Sequence, residues 1–226
     1  MSSMIVRSGW MALLVAIAAA CDRQPSPSAG GPPPAPSDGG RGRVVFLGTS
    51  LTAGLGLDPS QAYPALLQRR IDSAGLAFEA VNAGVSGETS AGALRRIDWL
   101  LRQPAAVLVI ETGANDGLRG LDVDSLRANI QAIIDAARRQ TPPPRIVLVG
   151  MRAPPNNGLD YARRFRDVYP ALAKKNGVPL VPFLLEGVAG RHGMNQADMI
   201  HPTAAGQARV AETVWPVLEG VLLGKG

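Results

Sequence analysis

Three uninterrupted apolar runs, Val44-Val45-Phe46-Leu47, Val107-Leu108-Val109-Ile110 and Ile146-Val147-Leu148-Val149, constrain this chain more than any other feature. A strand with one wet face alternates apolar and polar residues. A strand apolar at every position is covered on both faces, the condition of a central strand in a parallel sheet flanked by helices. Between the runs, apolar residues recur at helical spacing: Leu66, Leu67 and Ile71; then Leu94, Ile97, Leu100 and Leu101; then Leu126, Ile130, Ile133 and Ile134. Periodicity predicts strands at 43–47, 78–82, 106–111, 145–150 and 178–181, and helices at 63–73, 90–102, 124–140, 160–175 and 203–222.

Five strands joined by helical crossovers make one α/β domain, a three-layer αβα sandwich on a flavodoxin-like five-stranded parallel sheet. A chain of 226 residues that is 46% hydrophobic has material for one such core. Aromatic residues make up only 4%, and no zinc-finger or phosphate-loop spacing occurs, so nucleic acid is not an expected partner. The net charge of +5 is scattered over pairs such as Arg95-Arg96, Arg138-Arg139 and Arg163-Arg164, which read as solvated helix faces. If a basic face has a partner, an anionic membrane surface suits it best. Two His and one Cys leave few ligands for a metal, and no metal or cofactor is expected.

The N-terminal segment reads as an address. Arg7 precedes an apolar stretch at 10–20, the length of an export-signal h-region and too short for a confident membrane span. Cys21 follows Ala18-Ala19-Ala20, an arrangement that resembles the lipobox at which bacterial lipoproteins are cut and acylated. An ordinary signal-peptidase cut after Ala20 is the competing expectation. The reading is a signal peptide at 1–20, a lipidated Cys21 with a Pro/Gly/Ser tether to 42, and a folded domain at 43–226. The tether has too little apolar bulk to offset its ordering entropy. The protein is expected outside the cytoplasm, membrane-anchored through Cys21, as a monomer.

Four islands carry the chemistry: Gly48-Thr49-Ser50-Leu51, Gly84-Val85-Ser86-Gly87, Gly113-Ala114-Asn115-Asp116 and Asp198-Met199-Ile200-His201. Each follows a predicted strand or opens a helix, where an open α/β sheet places reacting groups. A serine hydroxyl needs a base, an orienter for that base, and donors for the oxyanion. His192 and His201 are the two candidate bases. Asp198 stands three residues before His201, near enough to hold the imidazole Nδ1–H while Nε2 faces a hydroxyl. By itself the same stretch also reads as a helix entry, with Pro202 in the first turn and Thr203 as cap.

In order and content the islands resemble the blocks of the SGNH hydrolases, the GDSL-type esterases. Ser50 lies in the first block, Gly87 in the second, Asn115 in the third, and Asp198 with His201 in the fifth. Asn115-Asp116-Gly117-Leu118-Arg119-Gly120 and Val178-Pro179-Leu180-Val181-Pro182-Phe183 are similar to segments of the bacterial thioesterase I/lysophospholipase/arylesterase branch. The resemblance implies Ser50 as nucleophile, His201 as general base then acid, and Asp198 as orienting carboxylate. It implies an oxyanion hole from the backbone N–H groups of Ser50 and Gly87 and the side-chain amide of Asn115. Gly87 would let the backbone approach the tetrahedral centre with no β-carbon in the way.

Two residues depart from the family pattern: Thr49 stands where Asp is usual, and Ala114 where Gly is usual. Thr49 is expected to support the loop without taking a proton. Glu111 and Asp116 read as structural. Loops at 113–121 and 151–159 are expected to shape the acyl groove, and the turn-rich stretch at 154–158 to move on binding. The resemblance implies hydrolysis of short-to-medium acyl or aryl esters, of the arylesterase, lysophospholipase and thioesterase type, through an acyl-enzyme on Ser50, with a small acyl ester or a lipid as substrate. A carbohydrate O-acetylesterase and a non-catalytic binding domain on the same fold remain as alternatives.

Overall fold

The computed structural model describes residues 40–225. The segments read as a signal peptide, Cys21 and nearly all of the expected tether lie outside the described residues. Strands β1 (Gly42–Gly48), β2 (Phe78–Gly84), β3 (Val107–Glu111), β4 (Arg145–Val149) and β5 (Leu180–Val181) form one sheet in the order β2-β1-β3-β4-β5. Every pairing is parallel. This is the flavodoxin-like order, whose ligand crevice lies beyond the carboxyl ends of the strands at the β1/β3 switch point.

Helices α1 (Ser50–Ala53), α2 (Tyr63–Ser73), α3 (Ser90–Leu100), α4 (Ala114–Leu118), α5 (Val123–Arg138), α6 (Leu159–Asn176) and α7 (Ala204–Leu222) complete the domain. α2 contacts α7, while α3, α5 and α6 contact one another in series, giving the two helical layers of the sandwich. The apolar runs at 44–47, 107–110 and 147–149 are wholly buried, as their lack of polar positions requires. α5 shows how sequence sets a helix. The Asp122 carboxylate accepts the Ser125 N–H at 2.8 Å, a cap whose loss costs about 1 kcal/mol. Leu126, Ile130, Ile133 and Ile134 then recur every three or four residues on the buried face. Each such side chain contributes about 1.5–3 kcal/mol on burial. No helix among the described residues is long and apolar enough to cross a membrane.

Element boundaries differ from the sequence reading for local reasons. Gly42, assigned to the tether, is the first residue of β1. It pairs with Phe78, and a β-carbon there would lie 2.8 Å from that ring. β2 runs on to Gly84 because Gly48 of β1 pairs with it. β5 has only two residues, because the Val178 N–H turns back to the Ala173 carbonyl and closes α6. Pro59–Gln61 and Pro155–Asn157 form 3₁₀ turns. These turns, α1 and α4 are too short for periodicity to register.

Candidate active site

Ser50 is the first residue of α1, with Thr49 alone between it and β1. The turn beneath it is fixed from below. The Thr49 Oγ1 accepts the Leu51 N–H at 3.4 Å, and the α1 cap Gly54, at φ +74°, returns its N–H to the Ser50 carbonyl at 3.1 Å. The Thr49 N–H donates to Glu111 Oε2 at 2.8 Å, and its hydroxyl lies 3.1 Å from both carboxyl oxygens. Thr52 Oγ1 donates to the same carboxyl at 2.8 Å and lies 2.8 Å from the Tyr63 hydroxyl. Glu111 has no exposure, and burial pushes its carboxyl up to about 7 against the pull of these bonds. At Gly48 a β-carbon would lie 2.0 Å from Thr52 Oγ1 and 2.7 Å from Glu111 Oε2, so nothing larger fits above the carboxyl.

His201 meets Ser50 from the far end of the chain: its Nε2 is 2.9 Å from Ser50 Oγ, and its Nδ1 is 2.6 Å from Asp198 Oδ2. A carboxylate only accepts, so Nδ1 carries the proton and Nε2 accepts from the serine hydroxyl. Asp198 Oδ1 also accepts the Ile200 and His201 N–H groups at 2.9 and 3.0 Å. The His201 ring N–H and these backbone donors hold the Asp198 carboxyl down at about 2. Between them Met199 adopts φ +58°, the left-handed region, as the only non-glycine among the described residues to do so. His192 is exposed on its loop and does not border the cavity.

The remaining expected residues converge on the same place. Gly87 has φ +78°, and an added β-carbon would meet only Arg119 Nη2 at 3.9 Å. Its backbone conformation calls for glycine whatever stands beside it. Asn115 Nδ2 donates to the Glu88 carbonyl at 2.9 Å, which fixes the amide and leaves its second N–H for a ligand. Asp116 accepts the Ser90 N–H at 2.8 Å and hydroxyl at 2.6 Å, tying α4 to the start of α3. Ser50, Gly87, Asn115 and His201 border one cavity of about 490 Å³ with mainly apolar walls, including Leu55, Leu118, Met151, Phe183, Met199 and Ile200. Both loops expected to shape a groove contribute to it, and Asn157 Nδ2 joins them by donating to the Gly117 carbonyl at 3.2 Å.

The profile of the GDSL-like Lipase/Acylhydrolase family matches residues 46–209. The chain belongs to the GDSL-like lipase/acylhydrolase family. It is 45% identical to Esterase TesA of Pseudomonas aeruginosa, over 79% of this chain and 89% of that one. It is 38% identical to the Thioesterase 1/protease 1/lysophospholipase L1 of Escherichia coli K12, over 75% of this chain and 79% of that protein. Among solved structures, AlinE4, an SGNH-hydrolase family esterase, superposes with a TM-score of 0.67 at 40% identity, covering 80% of this chain and 97% of that one. As a member of this family the protein is a serine ester hydrolase.

Two supports of this GDSL-type site escaped the sequence reading. Gln207, on α7 and 1% exposed, accepts the Tyr63 N–H at 2.9 Å and donates to the Leu51 carbonyl at 3.1 Å. Its signal was present: it interrupts the apolar stripe continued by Ala211, Val214 and Leu218. Gln196 donates to the Leu55 carbonyl at 2.7 Å and the Pro202 carbonyl at 3.0 Å, while its N–H bonds the His201 carbonyl at 2.7 Å. Both glutamines join the serine turn to the histidine-bearing end of the chain.

Proposed function

We propose that Ser50 is the nucleophile, His201 the general base and then acid, and Asp198 the carboxylate that orients it. The substrate is a short-to-medium acyl or aryl ester. In the first step Ser50 Oγ attacks the acyl carbonyl as its proton passes to His201 Nε2. The backbone N–H groups of Ser50 and Gly87 and the amide of Asn115 receive the charge on the carbonyl oxygen. Collapse expels the alcohol with the proton from His201, and water repeats the sequence on the acyl-serine. Each oxyanion donor is worth about 2.7–4 kcal/mol in the transition state.

One observation carries the reading: an unbroken chain of contacts runs from Asp198 through His201 to Ser50 and ends at an apolar cavity. The wall of Leu, Met, Phe and Ile side chains favours an acyl chain over the polar surroundings that an acetylated sugar calls for. Hydrolysis of p-nitrophenyl acetate, butyrate and octanoate, with Ser50→Ala as control, tests it. Turnover that rises from acetate to octanoate and vanishes in the variant is the expected result. Activity surviving Ser50→Ala, or no labelling of the wild type by a fluorophosphonate, sinks it.

For the N-terminal segment we infer export with acylation at Cys21, supported by the apolar stretch at 10–20 and the Ala18-Ala19-Ala20-Cys21 junction. Metabolic labelling with a fatty-acid probe decides between this and plain signal cleavage. Label retained by Cys21→Ser would end the lipoprotein reading.

A further inference from the structure

A second cavity, of about 450 Å³, lies beside the first and shares Gly87 with it. Its character is different. Ser86, Glu88, Arg95, Arg96 and Arg119 border it. Arg96 is committed: its Nε and Nη2 bind the two Glu88 oxygens at 2.7 and 2.6 Å, and Nη2 also donates to the Ala83 carbonyl at 2.8 Å. That pairing neutralises the acid in the cleft. Arg119 uses one of its five donors on the Gly87 carbonyl, at 2.9 Å. Arg95 is exposed on α3 and makes no hydrogen bond or ion pair among the described residues. Two guanidinium groups with spare donors therefore face a cleft with no unpaired carboxylate on its walls.

Gly87 fixes the meaning of this placement, given the proposed esterase reading on which the inference rests. The acyl carbon sits at Ser50, next to Gly87, with its chain in the apolar cavity. The departing alcohol or thiol extends from the same carbon, and the cavity across Gly87 is available to it. We propose that this cleft binds the leaving group and that Arg95 and Arg119 select leaving groups bearing a phosphate. Guanidinium forks match phosphate oxygens in bidentate geometry, and charge-assisted bonds are about twice as strong as neutral ones. Arg95 and Arg96, adjacent in sequence, thus do different work: Arg96 holds Glu88 in place, and Arg95 contacts the ligand.

Matched substrate pairs test the assignment. One pair is octanoylglycerol and octanoyl-lysophosphatidic acid; the other is the octanoyl thioester of N-acetylcysteamine and octanoyl-CoA. In the wild type the ratio of kcat/KM, phosphorylated over neutral, is expected to exceed one and to fall as NaCl is raised. Arg95→Glu should lower that ratio by roughly tenfold or more, the scale of one charge-assisted bond. Arg163→Glu, the same charge change on α6, should leave it unaltered. A fall in the glycerol pair alone identifies a lysolipid headgroup, a fall in the thioester pair alone a phosphorylated carrier, and a fall in both a phosphate of either source. A wild-type ratio at or below one, or an Arg95→Glu ratio within about twofold of wild type in both pairs, overturns the proposal. Failure of the wild type to hydrolyse the neutral esters would instead sink the esterase reading and this inference with it.

Discussion

The two halves of the serine–histidine pair are held in opposite ways. Ser50 stands on a turn whose foundations are buried: Thr49, Thr52 and Glu111 have no more than trace exposure, and the strands beneath them are central in the sheet. The segment bearing Asp198 and His201 is a surface loop, with the Asp198 side chain 44% exposed. Its geometry comes from hydrogen bonds: Asp198 to two backbone N–H groups, and Gln196 to Leu55 and Pro202. Changes in the residues beneath the serine are therefore felt as stability. Changes on the histidine side are felt as rate.

Asp198→Asn gives the largest expected effect. The amide can donate to His201 Nδ1 and so favours the tautomer with its proton on Nε2, where Ser50 needs an acceptor. The drop in kcat is on the order of 10⁴-fold, the scale known for the same change in another serine hydrolase. Because Asp198 is exposed, the urea midpoint at neutral pH should barely move. The carboxyl is held down at about 2, so its ionised, orienting form persists as pH falls through the ordinary carboxylate range. Protonation of Asp198 is thus not expected to limit kcat above about pH 3. A large loss of stability in Asp198→Asn would break the contrast between the two halves.

Glu111 probes the other side. Its folded value of about 7 lies above the ordinary 4.5. Below 4.5 the carboxyl is neutral in both folded and unfolded chains, and the fold has its full stability. Between 4.5 and about 7 only the unfolded chain releases the proton, so stability falls as pH rises and then levels off. The shift corresponds to a loss on the order of 3 kcal/mol. Glu111→Gln keeps the shape, with its carbonyl accepting from Thr49 and Thr52 and its amide facing Thr49 Oγ1. Urea denaturation across this range should show the variant gaining on the wild type by about that amount toward alkaline pH. Parallel curves would mean the carboxyl is not perturbed. Thr49→Asp sharpens the point, because a second carboxylate against Glu111 forces the pair to share a proton. Stability should drop further above neutral pH while kcat gains less than about tenfold. A thousandfold gain would mean that Thr49 had disabled the site.

The sheet was legible because its signals are local: apolar runs at 44–47, 107–110 and 146–149 and helical spacing between them. The islands were legible because Ser50, Gly87, Asn115, Asp198 and His201 stand in family order, and the structure brings them to one sheet edge. What stayed hidden is non-local or conformational. Gln207 reaches Leu51 across 156 positions and Gln196 reaches Leu55 across 141, and no short window holds both partners. Glu111 was readable as structural, but its depth beneath Thr49 depends on β1 and β3 being neighbours. Arg95 and Arg96 look alike in sequence and differ only in what folding places beside each.

Gln196→Ala should cost about tenfold in kcat, roughly the 1.4 kcal/mol of one well-placed bond, with a small change in melting temperature. It removes the ties to Leu55 and Pro202 without exposing core. If melting temperature fell sharply while kcat held, the histidine segment would be anchored by packing, and the proposed division would be wrong.

The smallest expected effect tests whether the turn itself or the Met199 side chain matters more. A residue with a β-carbon in the left-handed region costs roughly 1–2 kcal/mol, which Met199→Gly relieves. Glycine's greater unfolded-state freedom takes back about 0.5–1 kcal/mol. Net stability should rise slightly or stay level. Met199 is 56% exposed and borders the apolar cavity, so loss of its side chain should raise KM for p-nitrophenyl octanoate by about two- to threefold, the value of part of one apolar contact. KM for the acetate, whose acyl group is only a methyl on the carbonyl carbon, should hold. If both esters weaken equally, Met199 acts through the placement of His201, and the strained turn belongs to the catalytic geometry and not to the acyl wall.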